Sequence, residues 1–183
     1  MSKPKRSKRK SKQAQEIERK FLVTDSPPSD ADLAKCRARA IEQGYLAADP
    51  ERKIEVRLRR RDKRRCLTIK QGEGTQRVEV ELPLSQTEFD ALWPATEGRR
   101  LVKTRYRLPR KKGSPAARLE LDVYEAALAG LRVVEAEFSD EAAARAFEPL
   151  PWFGREVTDD SAYRNAELAR QGLPTVTAAR GDH

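Results

Sequence analysis

The stretch "QEIERKFLV", residues 15–23, poses the structural problem. Every second position is charged (Glu16, Glu18, Lys20), and Ile17, Arg19 and Phe21 lie between them. A period of two marks a β-strand, whose successive side chains point to opposite faces. The pattern returns down the chain. Ile54, Val56 and Leu58 alternate with Glu55, Arg57 and Arg59, and Leu67 and Ile69 with Thr68 and Lys70. Val78, Val80 and Leu82 alternate with Arg77, Glu79 and Glu81, and Val102, Thr104 and Tyr106 with Lys103 and Arg105. Leu119, Leu121 and Val123 alternate with Glu120 and Asp122, and Val134, Ala136 and Phe138 with Glu135 and Glu137. Turn material such as "QGEG" (71–74) and "PRKKGSP" (109–115) bounds these runs.

One strand with a charged face is a surface strand. Seven such faces, mixing both signs densely, are expected to share an interior. The fold predicted is α+β: a closed eight-stranded antiparallel barrel with a charged lumen and its apolar faces outward under helices. "GYLAA" (44–48) supplies a short eighth strand. An open sheet with a wet charged face satisfies the same periodicity. Capping and stop signals predict helices over 29–44, ended by Gly44, and over 85–93, opened by Ser85 and Glu88. Further helices are expected over 139–148 and 159–172, the last ended by Gly172.

Composition narrows the chemistry. The 183 residues suffice for one domain with tails, and no internal repeat or second domain is evident. Residues 1–15 hold seven basic side chains and no acid, so they carry most of the net charge of +9. They read as a disordered basic tail, preceding a domain at 16–172 and a loose C-terminal tail at 173–183. Such a tail could touch polyphosphate, nucleic acid or anionic lipid, or merely be solvated. Cys36 and Cys66 form neither a disulfide framework nor a zinc motif. The single histidine is His183, which disfavours a serine–histidine triad and a histidine-ligated metal. No apolar run is long enough for a membrane span or signal-peptide core, so a cytoplasmic location is expected. A homodimer is compatible with this reading.

Acid-x-acid pairs suit hard divalent cations, which take oxygen ligands, while arginine and lysine suit phosphate oxygens. A ligand carrying both phosphate and magnesium accounts for both signs in one cavity. "GEG" (72–74) lacks the lysine and helix of a phosphate-binding loop, so side chains must make the phosphate site. Without a usable histidine, the base is a carboxylate, a lysine of lowered pKa or metal-bound hydroxide.

"EIERKFLV" (16–23) resembles the Glu-x-Glu-x-Lys signature of the CYTH domain, in the triphosphate tunnel metalloenzyme superfamily. That superfamily includes class IV adenylyl cyclases, thiamine triphosphatases and inorganic triphosphatases. The resemblance continues through "QGYL" (43–46), "IEVRLR" (54–59), "LTIK" (67–70), "WPATEGRRLVKTRY" (93–106), "LELDVY" (119–124), "VEAEF" (134–138) and "PWFGREVT" (151–158). "LWPATEGRR" (92–100) and "PWFGREVT" are similar to the bacterial tripolyphosphatase branch.

The resemblance implies a tunnel holding a triphosphate with Mg2+ or Mn2+. It assigns phosphate binding to Lys20, Arg57, Arg59, Lys70, Lys103 and Arg105. It assigns metal binding to Glu16, Glu18, Glu81, Glu135 and Glu137, with Glu79 and Asp122 as further acidic candidates. Lys103 and Glu137 are the catalytic candidates. Tyr45 reads as core packing or as a residue near the tunnel mouth. Arg61, Arg77, Arg107 and Arg118 stand at strand ends and read as solvated charges. Metal-dependent cleavage of tripolyphosphate is the leading expectation. The alternatives are an organic triphosphatase, a cyclase, and a non-catalytic polyphosphate- or RNA-binding module.

Overall fold

The computed structural model describes residues 17–24, 27–72, 78–110 and 112–174. Glu16, Arg77, the basic tail and residues 175–183 lie outside them. The strands are β1 (Ile17–Val23), β2 (Arg37–Asp49), β3 (Ile54–Arg61), β4 (Arg64–Gln71) and β5 (Val78–Pro83). They continue as β6 (Arg100–Arg107), β7 (Arg118–Tyr124), β8 (Arg132–Phe138) and β9 (Phe153–Glu156). The helices are α1 (Asp30–Leu33), α2 (Gln86–Leu92), α3 (Glu141–Arg145) and α4 (Asn165–Gln171). Seven of the strands are the alternating segments of the sequence.

All nine join one antiparallel sheet in the order β5-β4-β3-β2-β6-β7-β8-β1-β9. This corrects the expectation of eight strands in a closed barrel. The second edge of β1, which closure would give to β5, is taken by β9 through Phe21↔Glu156 and Val23↔Phe153. Among the described residues β5 and β9 are the edges and the ladder does not close.

A second correction concerns residues 29–44, which do not form the expected long helix. Ser29 caps α1 by accepting from the Asp32 amide, but α1 spans only four residues. From Arg37 the chain is β2, which also absorbs the short strand expected at 44–48. Ala38 and Ala40 favour a helix locally. Pairing with β3 on one side and β6 on the other overrides that preference. The helix expected over 85–93 is present as α2, with Ser85 and Glu88 closing a reciprocal capping box. Those expected over 139–148 and 159–172 shorten to α3 and to a 3-10 turn (Ser161–Tyr163) followed by α4.

Two apolar clusters secure the sheet. The outward faces of β1, β7 and β8 meet residues around α3 and β9, where Phe21, Phe138, Phe147 and Phe153 pack with Leu119, Leu121 and Val134. The second cluster lies where inward rows turn apolar: Leu101 of β6, Tyr124 of β7 and Val133 of β8, with Leu168 of α4 packed on them. The C-terminal helix is thereby fixed over the inner side of the sheet.

Gly44 is not a helix stop. A Cβ there would lie 2.5 Å from Thr96 Oγ1, because β2 passes close to the 3-10 turn Trp93–Thr96. Thr96 is wholly buried, donates to the Trp93 carbonyl and accepts from Arg100 Nε, so it cannot easily yield. Gly44→Ala should therefore destabilise the fold by about 1–3 kcal/mol, the usual cost of overpacking. An unchanged midpoint in urea unfolding would refute this contact.

Candidate active site

The charged rows meet in one cavity of about 1310 Å3. Eight of the nine strands, β1 to β8, contribute to its wall, so the sheet curls around it. Its lining includes Glu18 and Lys20 from β1, Tyr45 from β2, Arg57 and Arg59 from β3, and Lys70 from β4. Glu79 of β5, Lys103 and Arg105 of β6, and Glu135 and Glu137 of β8 are the other expected site residues on the wall, and Glu120 of β7, which was not among the candidates, joins them. Register explains the convergence. Glu18 pairs with Glu137, Lys20 with Glu135, Arg105 with Asp122, Glu120 with Glu135, and Lys70 with Glu79.

Asp122 does not line the cavity. It is wholly buried behind the wall, where Lys103 Nζ donates to Oδ2 at 2.5 Å. Arg105 donates through Nε to Oδ1 and through Nη2 to Oδ2, each at 2.6 Å. Arg105 also reaches Glu120 at 2.7 Å and Glu135 at 2.6 Å. Lys20 lies 3.1 Å from Glu18 and 3.5 Å from Glu135. Lys70 pairs with Glu79 at 2.8 Å. Glu81 stands apart from the cavity lining, half exposed and paired with Arg59 at 2.7 Å.

Burial costs a charge several kcal/mol unless partners replace its water, and these pairs supply them. Burial lowers the proton affinity of Lys103 and Arg105 lowers it further, while Asp122 and Glu135 oppose the shift. For Glu135, burial alone would push the carboxyl up. Arg105, Lys20, Lys103 and Lys70 together hold it well below the usual carboxylate range. Burial pushes the Tyr45 phenol up to about 12, although Arg57 draws it back. Tyr45 is 1% exposed and accepts a hydrogen bond from Gln43 Nε2, so it is both core and cavity wall.

Among the described residues, no three acidic, histidine or cysteine side chains converge as a set of metal ligands. The carboxylates are turned onto cations instead. Glu18 nevertheless stands directly opposite Glu137, and Glu120 opposite Glu135. Like charges so placed repel, and an all-oxygen donor set of this kind suits a hard divalent cation.

Sequence reasoning missed Arg37, Arg39 and Gln43, which line the cavity from the segment read as helix. Their own period-two spacing, Arg37-Ala38-Arg39, was the available signal. Asn165 had none. Its Oδ1 accepts from Tyr124 at 2.6 Å and lies 3.4 Å from Lys103 Nζ, a placement only the packing of α4 reveals.

A curled antiparallel sheet around a cavity of paired acids and bases matches a known family. The chain belongs to the CYTH domain family, which covers residues 14–157. It is 47% identical over 156 residues to an inorganic triphosphatase of Nitrosomonas europaea, spanning 84% of this chain and 96% of that protein. It is 30% identical over 157 residues to an inorganic triphosphatase of Acetivibrio thermocellus, spanning 85% and 93%. A crystal structure of an inorganic triphosphatase superposes with a TM-score of 0.65 at 42% identity, over 88% of this chain and 98% of that one. A putative adenylate cyclase from Bacillus halodurans shares the fold at 17% identity, with a TM-score of 0.50 over 74% of this chain and 92% of that one.

The depressed Glu135 pKa has a consequence in acid. Its ordinary value of 4.5 describes the unfolded chain, so its stabilising contribution is full above that pH. It is lost as pH falls through the lower folded value. Glu135→Gln should make the acid-side decline of unfolding free energy shallower. Equal slopes for the two proteins would show that Glu135 is not held low.

Proposed function

We propose that this protein hydrolyses inorganic triphosphate to diphosphate and phosphate in a reaction that requires magnesium or manganese. The observation that carries the reading is the convergence of Lys20, Arg57, Arg59, Lys70, Lys103 and Arg105 on one cavity that acids also line. The names of the two curated relatives support the substrate. So does the wall itself. Tyr45 is the aromatic residue among the described lining, and its burial leaves no open ring face for a base or thiazole.

The arginines grip phosphate oxygens in pairs and the lysines act as point charges, which together hold the chain in line for attack. Glu18, Glu135 and Glu137 are the residues assigned to hold the metal, with Glu16 two positions before Glu18 in the sequence. When bound, the metal neutralises charge on the phosphate oxygens. Water adds to the terminal phosphorus, the bridging P–O bond breaks, and diphosphate leaves with the electron pair. The water's proton passes to a carboxylate of the cavity, and Lys103, whose hold on its own proton burial weakens, is assigned to stand beside that water. Glu137 is assigned to orient that water.

Phosphate release from tripolyphosphate, ATP and thiamine triphosphate tests the reading. Tripolyphosphate should be cleaved best, with activity lost in chelator and restored by magnesium or manganese. Calcium, which accepts looser coordination, should occupy the site without supporting efficient turnover. Glu18→Gln keeps the shape but removes a charge, and should lower metal-dependent turnover by roughly tenfold or more. Full activity in chelator would defeat the proposal, and binding without release would leave only a polyanion-binding module.

A further inference from the structure

Asn165 of α4 lines the cavity beside the charged residues but is not one of them. Lys103 of β6 and Tyr124 of β7 stand directly opposite each other in the sheet, and both reach it. The Tyr124 hydroxyl donates to Asn165 Oδ1 at 2.6 Å, and Lys103 Nζ donates to the same oxygen at 3.4 Å. An ammonium can only donate, so the amide must turn its oxygen to Lys103 and its Nδ2 away. Among the described residues Nδ2 has no hydrogen-bond partner, and it is not sealed from solvent. On a residue of the lining, the end left over opens on the cavity.

Anchorage of α4 does not account for an amide at this position. The buried Leu168 already fixes the helix against Leu101, Tyr124 and Val133. Capping does not use it either, since no side chain caps α4. An aspartate would satisfy Tyr124 and Lys103 equally well through its own oxygen. What asparagine adds is the pair of protons on Nδ2. That donor differs from its charged neighbours. Lys20, Lys70, Lys103 and Arg105 are each held by a carboxylate, which an incoming phosphate has to displace. Nδ2 can donate without displacing anything, and the two bonds to Oδ1 keep it aimed, so little further ordering is needed. Because Lys103 is assigned to stand beside the attacking water, Asn165 stands next to the phosphoryl group under attack. A donor to that water would draw on the lone pair that goes to phosphorus, whereas a donor to a phosphoryl oxygen stabilises the charge it carries.

We propose that Asn165 is a catalytic residue whose Nδ2 donates a hydrogen bond to a nonbridging oxygen of the terminal phosphoryl group, with Tyr124 and Lys103 holding the amide in that orientation. This role rests on the triphosphatase reading and adds a neutral contact to its charged ones. It also makes α4 part of the active site, because the strands of the sheet do not supply this donor.

Wild type, Asn165→Ala, Asn165→Asp and Tyr124→Phe should be compared in tripolyphosphate turnover and in urea unfolding. Asn165→Ala should lower kcat/KM by about tenfold to a hundredfold, the range for losing one hydrogen bond to a charged group. Asn165→Asp keeps the acceptor for Tyr124 and Lys103, so it should unfold near the wild-type midpoint yet lose at least as much activity. Tyr124→Phe leaves Nδ2 in place with one anchor fewer and should lose only severalfold. A direct readout is the pair of Asn165 side-chain amide protons in the nuclear magnetic resonance spectrum of isotope-labelled wild type, identified by their absence from Asn165→Asp. They should shift when imidotriphosphate, whose nitrogen bridges resist hydrolysis, is added with magnesium. An Asn165→Ala or Asn165→Asp protein within about twofold of wild type would overturn the proposal. So would amide protons that do not move, or a Tyr124→Phe protein as impaired as Asn165→Ala, since either assigns the effect to anchoring of α4. If Asn165→Ala does not fold, Asn165→Asp and the resonance experiment on wild type still decide the question. Failure of the wild type to release phosphate from tripolyphosphate would overturn the triphosphatase reading, while the amide shift would still decide whether Asn165 contacts phosphate.

Discussion

Asp122 is the fixed point of the cavity wall. It has no access to water, and its two oxygens are taken by Lys103 and Arg105. Such a group is tolerable only while its partners stay in place. That requirement locks β6 to β7. Through the second and third contacts of Arg105, it also sets where Glu120 and Glu135 point. Lys20 then reaches Glu135 from β1, so one buried carboxylate organises charges on four consecutive strands. Lys20, Arg59, Lys70, Lys103 and Arg105 are each held by a carboxylate; on the proposed reading phosphate would have to replace it, and the freed carboxylates of the wall would become available to a metal. On that reading the two kinds of ligand would be thermodynamically linked.

The sheet around this wall depends on β2. It pairs along much of its length with β3 and with β6, and among the described residues it alone joins β3–β5 to the strands running from β6 to β9 through β1. Its register shifts between Tyr45 and Ala47, where the strand turns from the buried centre toward its exposed end. Curling the sheet while keeping Tyr45 inward needs such an irregularity, because a bulge increases local twist.

Legibility in the sequence follows the strength of the alternation. β3, β6, β7 and β8 mix charge on one face with mostly apolar residues on the other, and no helix satisfies that pattern. β2 was hidden because Ala38 and Ala40 stand where a strand usually carries large apolar groups, and Ser29 and Gly44 imitate helix ends. β9 is short, and only its pairing with β1 makes it a strand. The parity of the inward charges could be read from spacing, and with it most of the wall. Which acid meets which base depends on register, a relation between distant segments that no local pattern encodes. Asp122 shows the limit. Its parity matches that of Glu120, yet it sits behind the wall.

The pairing of β1 also bears on how the protein is made. It is the first described strand to be synthesised, but its neighbours are β8 and β9, and Arg19 meets Glu156 across 137 residues of chain. On a ribosome, β1 emerges with both edges unsatisfied and must wait until almost the whole domain has followed. Contacts so distant in sequence make folding slow, and an unpaired strand in the meantime is a site for association between nascent chains. The charges of Glu18, Arg19 and Lys20 act against that association, since charged residues discourage strand addition at an open edge. The same side chains that line the finished cavity therefore help the growing chain reach it.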